Sequence, residues 1–387
     1  MDKLRIAMFT DNYYPFVGGV PVSIDRLTRG LRAMGHSVTV FAPLYPDQVP
    51  DDDPDIVRCK LLRYHRTKLF DFAVTDIFSG EIDTEFVRRG FDIVHVHHPF
   101  WMGVRGMNLG KKYGVPVVFT YHTRFDQYSH YIPVLKNFFK SYISHSIVKH
   151  FAQRCAVIFA PTRTAMDYLT ELGVTKPIEI LPTGINWPGE GNTLRAELAP
   201  NGEFLLCTVS RLAQEKNIFF LLDCVKHIRQ NASVPFRCVV AGDGPERNGI
   251  EAFLREKGLE DCVLLLGSVS PDRVAEVYRA CDLFVFASRT ETQGMVLLEA
   301  MAGHCPVVAV SSGGVDDVVV DGYNGYKTHE DMEEWSRRVT GLMADRDRLE
   351  ELSRNAHAYA RRFSVEAMAA QAAQIYQSVI EKAERHG

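Results

Sequence analysis

Short apolar runs alternate with amphipathic stretches along almost the whole chain. The runs "LRIAMF", "SVTVFA", "DIVHVH", "VPVVFT" and "AVIFAP" are nearly continuous in hydrophobic residues, and segments with helical spacing such as "VSIDRLTRGLRAMG" separate them. Continuous apolar strands spaced by helices predict parallel sheets covered on both faces. The alternation pauses at "LPTGINWPGEGNTLRAELAPNGE", rich in Gly, Pro and Asn and without a period, which reads as a linker. A second series follows in "FLLCTVS", "FRCVVAG", "CVLLLG", "DLFVFAS" and "CPVVAV". Two such series predict an α/β protein of two doubly wound, Rossmann-like domains facing a cleft. The expected division is a first domain at 1–185, a linker at 186–203, a second domain at 204–363, and a terminal helix at 364–387 packing back on the first domain.

Composition narrows the class. A chain of 387 residues is long for one core, and 46% hydrophobic with 24% charged residues is ordinary for a soluble enzyme. The formal charge of −4 argues against nucleic acid as the main partner. Eight cysteines sit singly in apolar settings with no Cys-x-x-Cys, the pattern of buried reduced thiols in a cytosolic protein. "MDKLRIAMFT" enters a strand at once and reads as no signal peptide, and no apolar run reaches the roughly 18 residues that would span a bilayer.

Candidate chemistry gathers at strand ends. "SRLAQEKN" places Arg211 and Lys216 on the loop after the first strand of the second series, where doubly wound sheets bind ligands. A surface Lys–Glu pair explains the loop equally well, but a forked Arg with a flexible Lys also suits a diphosphate. "SRTETQGMVLLEAMAGHCPVVAVSSGGVDD" runs from loop into helix near Gln293 or Gly294. Free N–H groups around Gly294, Met295 and Val296 would bind an anion, and the glycine admits a phosphate or sugar to the backbone. Glu291 at the mouth and Glu299 inside the helix would repel phosphate, so they are read as acceptors for vicinal diols. A nucleotide sugar carries both diols with a diphosphate between them.

In the first series, "NYYPFVGGVPVS" puts Gly18 and Gly19 at a strand-to-helix junction, either a tight turn or a close backbone approach to ligand. His122 ends "VPVVFTYHT" and, taken alone, reads as structural. "HVHH" (His95, His97, His98) lacks the further ligands a zinc site needs, and "DDDPD" (51–55) reads as a solvated turn; no metal is expected. Residues 129–154 hold four Lys or Arg, three His, five Phe or Tyr and no acid. Leu135, Phe138, Phe139 and Tyr142 share a helical stripe flanked by Lys136 and Lys140, which fits either an anionic membrane surface or a core-packed helix with a basic outer side.

The Glu-x7-Glu pair before and within a helix, "SRLAQEKN" and "AGDGPE" (241–246) together resemble the retaining GT-B glycosyltransferases of family four. "PFVGGV" (15–20), "HVHH", "TYHT" and "RRFS" extend the likeness over nearly the whole chain. The resemblance implies that Arg211 and Lys216 hold the donor diphosphate, Glu299 the ribose and Glu291 the donor sugar, with His122 against the transferred sugar. It also implies retention of configuration with no metal or other cofactor. Two positions depart from the family pattern: Glu-Thr-Gln-Gly replaces Glu-x-Phe-Gly, and Asn186 stands where an Asp is common. "PFWMGVRGMNLGKKYGVPVVFTYHTRFDQYSHYI" (99–132) and "TETQG" resemble bacterial monotopic diacylglycerol glucosyltransferases. That likeness implies a UDP-sugar donor, glucose as the hexose, a diacylglycerol acceptor, and peripheral attachment to the inner face of the plasma membrane. A glycosyltransferase with another lipid or a soluble acceptor, a sugar-nucleotide epimerase, and a non-catalytic nucleotide-binding module are the alternatives.

Overall fold

The computed structural model describes residues 3–385 apart from 17, 47, 50, 67–70, 77–79, 123–136, 190–193 and 292. The chain divides into two units, Met1–Gly184 with Val365–Gly387, and Ile185–Ser364.

In the first unit the strands β1 (Arg5–Phe9), β2 (Ser37–Pro43) and β3 (Ile56–Cys59) are followed by an antiparallel hairpin, β4 (Leu61–Arg66) and β5 (Asp71–Thr75). Next come β6 (Ile93–Val96), β7 (Val117–Thr120), β8 (Val157–Ala160) and β9 (Ile178–Ile180). The main sheet is parallel in the order β3-β2-β1-β6-β7-β8-β9. Alternate side chains of β1 leave by opposite faces, as a two-residue period requires. Ala7 and Phe9 join Val94, Val96 and Phe119 in one layer, whereas Ile6 and Met8 join Val40, Phe159 and Tyr376 in the other. These side chains are buried in both layers, and each fully buried Phe contributes about 2–3 kcal/mol.

Tyr376 belongs to the terminal helix Val365–Glu384, which buries Met368, Ala369, Ala372, Ala373, Tyr376 and Val379. Spacings of three and four put these on one stripe, and the stripe lies against the helix Gly19–Ala33. Gly30 makes that approach possible, since a Cβ there would stand 2.7 Å from the Ala369 Cβ.

The second unit has a parallel sheet of β10 (Phe204–Val209), β11 (Phe236–Ala241), β12 (Val263–Gly267), β13 (Leu283–Phe286), β14 (Val307–Val310) and β15 (Gly325–Thr328). Its order is β12-β11-β10-β13-β14-β15, so the direction of winding reverses between β10 and β13. The same reversal occurs between β1 and β6 in the first unit. In doubly wound sheets the loops that bind ligands leave the carboxyl ends of the strands at such a reversal.

Part of the expected linker is integral to the second unit. Within 186–203, the helix Leu194–Leu198 buries Leu194 and Leu198 in the core, and Arg195 grips Asp282 at 2.9 Å. Two leucines four residues apart make one apolar stripe, too short to stand out against the surrounding Gly and Pro. The acidic run also differs from a solvated turn. Asp51 pairs with Arg58 at 2.7 Å, Asp53 with Arg32 at 2.5 Å and Asp55 with Arg89 at 2.5 Å, all of them half-buried. Three arginines from separate elements tie this loop down. All eight cysteines are free and buried.

Candidate functional sites in the two units

In the second unit the loops after β10 and β13 lie side by side, because those strands are neighbours. Backbone and side-chain bonds fasten them: Arg289 N–H donates to the Glu215 carbonyl at 3.0 Å, and the Ser288 hydroxyl reaches the same oxygen at 3.4 Å. Lys216 closes the 3₁₀ turn Gln214–Lys216 and sends its ammonium to Glu291 Oε2 at 3.1 Å. Only 20% of the Lys216 side chain and 17% of the Glu291 side chain are exposed, and Lys216 Nζ also stands 5.8 Å from the centre of the Phe286 ring. Glu291 Oε1 accepts the Gly294 N–H at 3.2 Å, while its carbonyl accepts from Gly314 N–H at 2.8 Å.

Glu291 is therefore fixed from three sides, at the entrance to the helix Met295–Ala302. Gly294 caps that helix at φ 70°, in the left-handed region, and a Cβ there would crowd the Gly314 carbonyl at 3.1 Å. Met295 is half-buried at the first helical position, and Glu299 is half-buried more than a turn further on. Arg211 is exposed and, among the described residues, has no side-chain partner. The structure thus gathers Lys216, Glu291 and Gly294 into one bonded cluster. The Lys216–Glu291 ion pair spans 75 residues, and sequence reasoning gave the two residues separate ligands. The adjacency of "SRLAQEKN" and "TETQG" as loops after strands was the only signal for it.

In the first unit, His122 lies just past the end of β7, half-buried. Its Nε2 is 2.9 Å from Nδ1 of His97, which lies just past the end of β6. His95 is fully engaged, with Nδ1 at 2.7 Å from the Tyr376 hydroxyl and Nε2 at 2.6 Å from Thr120 Oγ1. His98 Nδ1 accepts the Asp11 N–H at 3.2 Å. Burial drives all four imidazoles toward the neutral form: His95 falls to about 3 and His98 to about 4, and His97 and His122 lie well below the usual value. With both nitrogens of His95 hydrogen-bonded, it has none left for a metal, and among the described residues no group of three or more metal-ligating side chains occurs.

Asp11, at the carboxyl end of β1, caps the helix Trp101–Tyr113 by accepting the Met102 N–H at 2.8 Å. Its second oxygen is buried without a partner among the described residues, and burial lifts its carboxyl to about 7. Sequence reading missed this residue, a lone Asp after a strand. Gly18 and Gly19 stand at the entrance to the helix Gly19–Ala33, and a Cβ built on Gly19 would meet nothing within 4 Å among the described residues beyond its own stretch of chain.

Of the basic segment, Lys136 lies outside the described residues, as do the side chains of Phe138, Phe139 and Lys140. The helix Asn137–Ala152 follows β7 and precedes β8, so it runs from the His122 edge of the sheet to the opposite edge. Its later half turns Val148, Phe151 and Ala152 into the core and leaves Lys149 and His150 exposed. Beyond it, Lys111, Arg154 and Lys176 line an open cavity of about 510 Å³ at the amino ends of β7 and β8. None of these three cations has an acidic partner among the described residues. No helix among the described residues is long and apolar enough to cross a membrane.

Comparison with known proteins gives the following. Residues 17–186 match the family described as Glycosyltransferase Family 4, and residues 191–361 match Glycosyl transferases group 1. An alpha-monoglucosyldiacylglycerol synthase of Acholeplasma laidlawii is 28% identical across 98% of each chain. Its Streptococcus pneumoniae counterpart is 30% identical across 82% of this chain and 74% of that protein. A GDP-mannose-dependent alpha-mannosyltransferase of Mycobacterium tuberculosis is 28% identical across 82% of each. Among solved structures, the HepE protein of Anabaena in complex with UDP and glucose superposes with a TM-score of 0.71 at 19% identity, over 97% of this chain and 100% of that one.

Proposed function

The chain belongs to the family-four glycosyltransferases of GT-B fold, and from that premise we propose that it moves glucose from UDP-glucose to a diacylglycerol hydroxyl with retention of configuration. The observation that carries this reading is the cluster of Lys216, Glu291 and Gly294 at the switch point of the second unit. Full-length similarity to monoglucosyldiacylglycerol synthases supports the acceptor.

The chemistry follows from the residue types. Breaking the bond between the sugar C1 and the diphosphate oxygen leaves negative charge on the diphosphate. Arg211, Lys216 and the N–H groups at the start of the helix Met295–Ala302 answer that charge, an electrostatic task that needs no covalent nucleophile. Glu299 accepts from the ribose hydroxyls and Glu291 from the hexose, while Gly294 admits the donor to the backbone. Gly18 and Gly19 are proposed to allow close backbone approach to a ligand, and His122 to meet the sugar as a neutral hydrogen-bonding ring. The new C1–oxygen bond forms on the face the leaving group vacates. The acceptor's proton passes to the departing phosphate oxygen, so the products are glucosyl lipid and UDP. No step calls for a metal or other cofactor.

The lipid acceptor requires contact with a membrane surface. Lys111, Arg154 and Lys176, without an acidic partner among the described residues and adjoining the end of the helix Asn137–Ala152, support peripheral attachment to an anionic leaflet. Lys136 and Lys140 are proposed as further membrane-contacting cations.

Because mannosyltransferases are also relatives, the test offers both donors. Purified protein is incubated with UDP-glucose or GDP-mannose and diacylglycerol in phosphatidylglycerol vesicles, and the lipids are read by mass spectrometry and anomeric NMR. The expected product is an α-glucosyl lipid formed from UDP-glucose alone. A mannosyl lipid overturns the donor, a β product overturns retention, and transfer only to soluble acceptors overturns the lipid.

A further inference from the structure

A buried ring nitrogen beside the proposed sugar contact has no partner among the described residues. His97 is 2% exposed and lies between two other histidines. The His95 ring packs on it with centroids 4.1 Å apart, and His122 stacks at 5.2 Å with an interplanar angle of 25°. Nδ1 of His97 faces Nε2 of His122 at 2.9 Å, while Nε2 of His97 is buried and unpaired. Both rings are neutral, held so by burial and by the neighbouring imidazoles. Each therefore carries one ring proton, and the contact between them takes one of two forms.

In the first form His122 donates from Nε2, which places the single proton of His97 on its buried Nε2 with nothing to receive it. In the second form His97 donates from Nδ1, and its buried Nε2 is left with only a lone pair. The surroundings select between them. His97 lines a cavity of about 20 Å³ with Ser23, Arg26 and Thr183. The Arg26 guanidinium has only donors and is anchored on the Gly184 carbonyl at 3.0 Å. Ser23 Oγ already accepts from the Thr183 hydroxyl at 2.9 Å, so its own hydrogen is directed elsewhere. Of the side chains on this lining, Arg26 can only donate and Ser23 has its hydrogen free to donate, and such donors tolerate a lone pair and disfavour an N–H. A buried donor left unmade is also the rarer and costlier defect.

We propose that His97 is a positioning residue that donates its Nδ1–H to His122 and thereby fixes His122 as the Nδ1–H tautomer. His122 then presents a hydrogen-bond donor from Nδ1, an atom with no partner among the described residues, and cannot present a lone pair there. Free imidazole side chains favour the other tautomer, so the protein selects the less common form and aims it. A donor at that position suits an oxygen of the transferred sugar or of the leaving group. The catalytic use rests on His122 meeting the sugar as proposed above. The tautomer itself does not.

The experiment separates these. Protein labelled with ¹⁵N-histidine is measured by long-range proton–nitrogen correlation, with His122→Gln identifying the His122 signals. The wild type should show His122 protonated at Nδ1. His97→Leu should shift His122 toward Nε2–H and lower kcat by roughly tenfold to a hundredfold, with donor KM nearly unchanged, as happens when an orienting partner is lost. His97→Asn places an amide N–H close to where Nδ1 stood, and should restore both the tautomer and most of the turnover. An Nε2–H tautomer in wild type, or an unchanged tautomer in His97→Leu, overturns the proposal even if a variant folds poorly, because the first measurement needs no variant at position 97. If the tautomer is as stated but His122→Gln transfers normally, the lock stands and the sugar-contact reading fails.

Discussion

Replacing Glu291 by Gln removes one negative charge and keeps an oxygen able to accept the Gly294 N–H. The structure sets the size of the effect. Lys216 and Glu291 approach to 3.1 Å with about four-fifths of each side chain covered. At that distance two unit charges attract by about 5 kcal/mol in an effective dielectric of about 20. Desolvation offsets much of this, leaving roughly 1–3 kcal/mol as the net cost of breaking the pair. In the donor-free protein Lys216 is thus already neutralised, and a diphosphate must share it with Glu291. Glu291→Gln should lower thermal stability while leaving UDP affinity equal or up to about tenfold tighter, at most about 1.4 kcal/mol. Turnover with UDP-glucose should fall, because the hexose loses its charged acceptor. Calorimetry with UDP, a thermal melt and single-turnover transfer read the three quantities. A tenfold or greater loss of UDP affinity would refute the reasoning, since the carboxylate itself would then be part of the nucleotide contact.

Lys216→Ala and Glu299→Gln should each weaken UDP binding by roughly 1–3 kcal/mol, the range for a lost charge-assisted hydrogen bond, and wild-type affinity in both would sink the donor assignment. Charge reversal of Lys111, Arg154 and Lys176 to Glu should release the protein from phosphatidylglycerol vesicles, at about 1 kcal/mol per site, with raised salt imitating the variant; equal co-sedimentation leaves that surface without a membrane role. Asp11, lifted to about 7 by burial, lies above its unfolded value of about 3.9, so ionisation destabilises the fold increasingly as pH rises from 4 to 7. Asp11→Asn keeps an acceptor for the Met102 N–H, and should melt above wild type beyond pH 7 yet converge with it near pH 4. A gap that does not change with pH would contradict the assignment.

The alternation of apolar runs with amphipathic stretches was enough to specify two parallel, doubly wound sheets, because strand and helix periods are local properties of the chain. It also placed the candidate residues Arg211, Lys216, Glu291, Gly294 and His122 beyond carboxyl ends of strands, where a parallel sheet exposes its loops. Gly294 was legible for the same reason, since a glycine between loop and helix has few other uses. Which of these residues meet one another was not legible. Lys216 reaches Glu291 only because β13 pairs with β10, and His97 reaches His122 only because β7 pairs with β6. Strand order is set by how whole faces pack, and no local period encodes it. The same holds for the three aspartates at 51–55, whose arginine partners Arg32, Arg58 and Arg89 arrive from separate elements. Asp11 acquires its raised pKa by burial against a helix that begins 90 residues later. Local pattern determined the elements and the sheet edge on which the candidate groups stand. Tertiary packing decided the pairings, burials and protonation states, because each depends on atoms that the chain brings together only after it has folded.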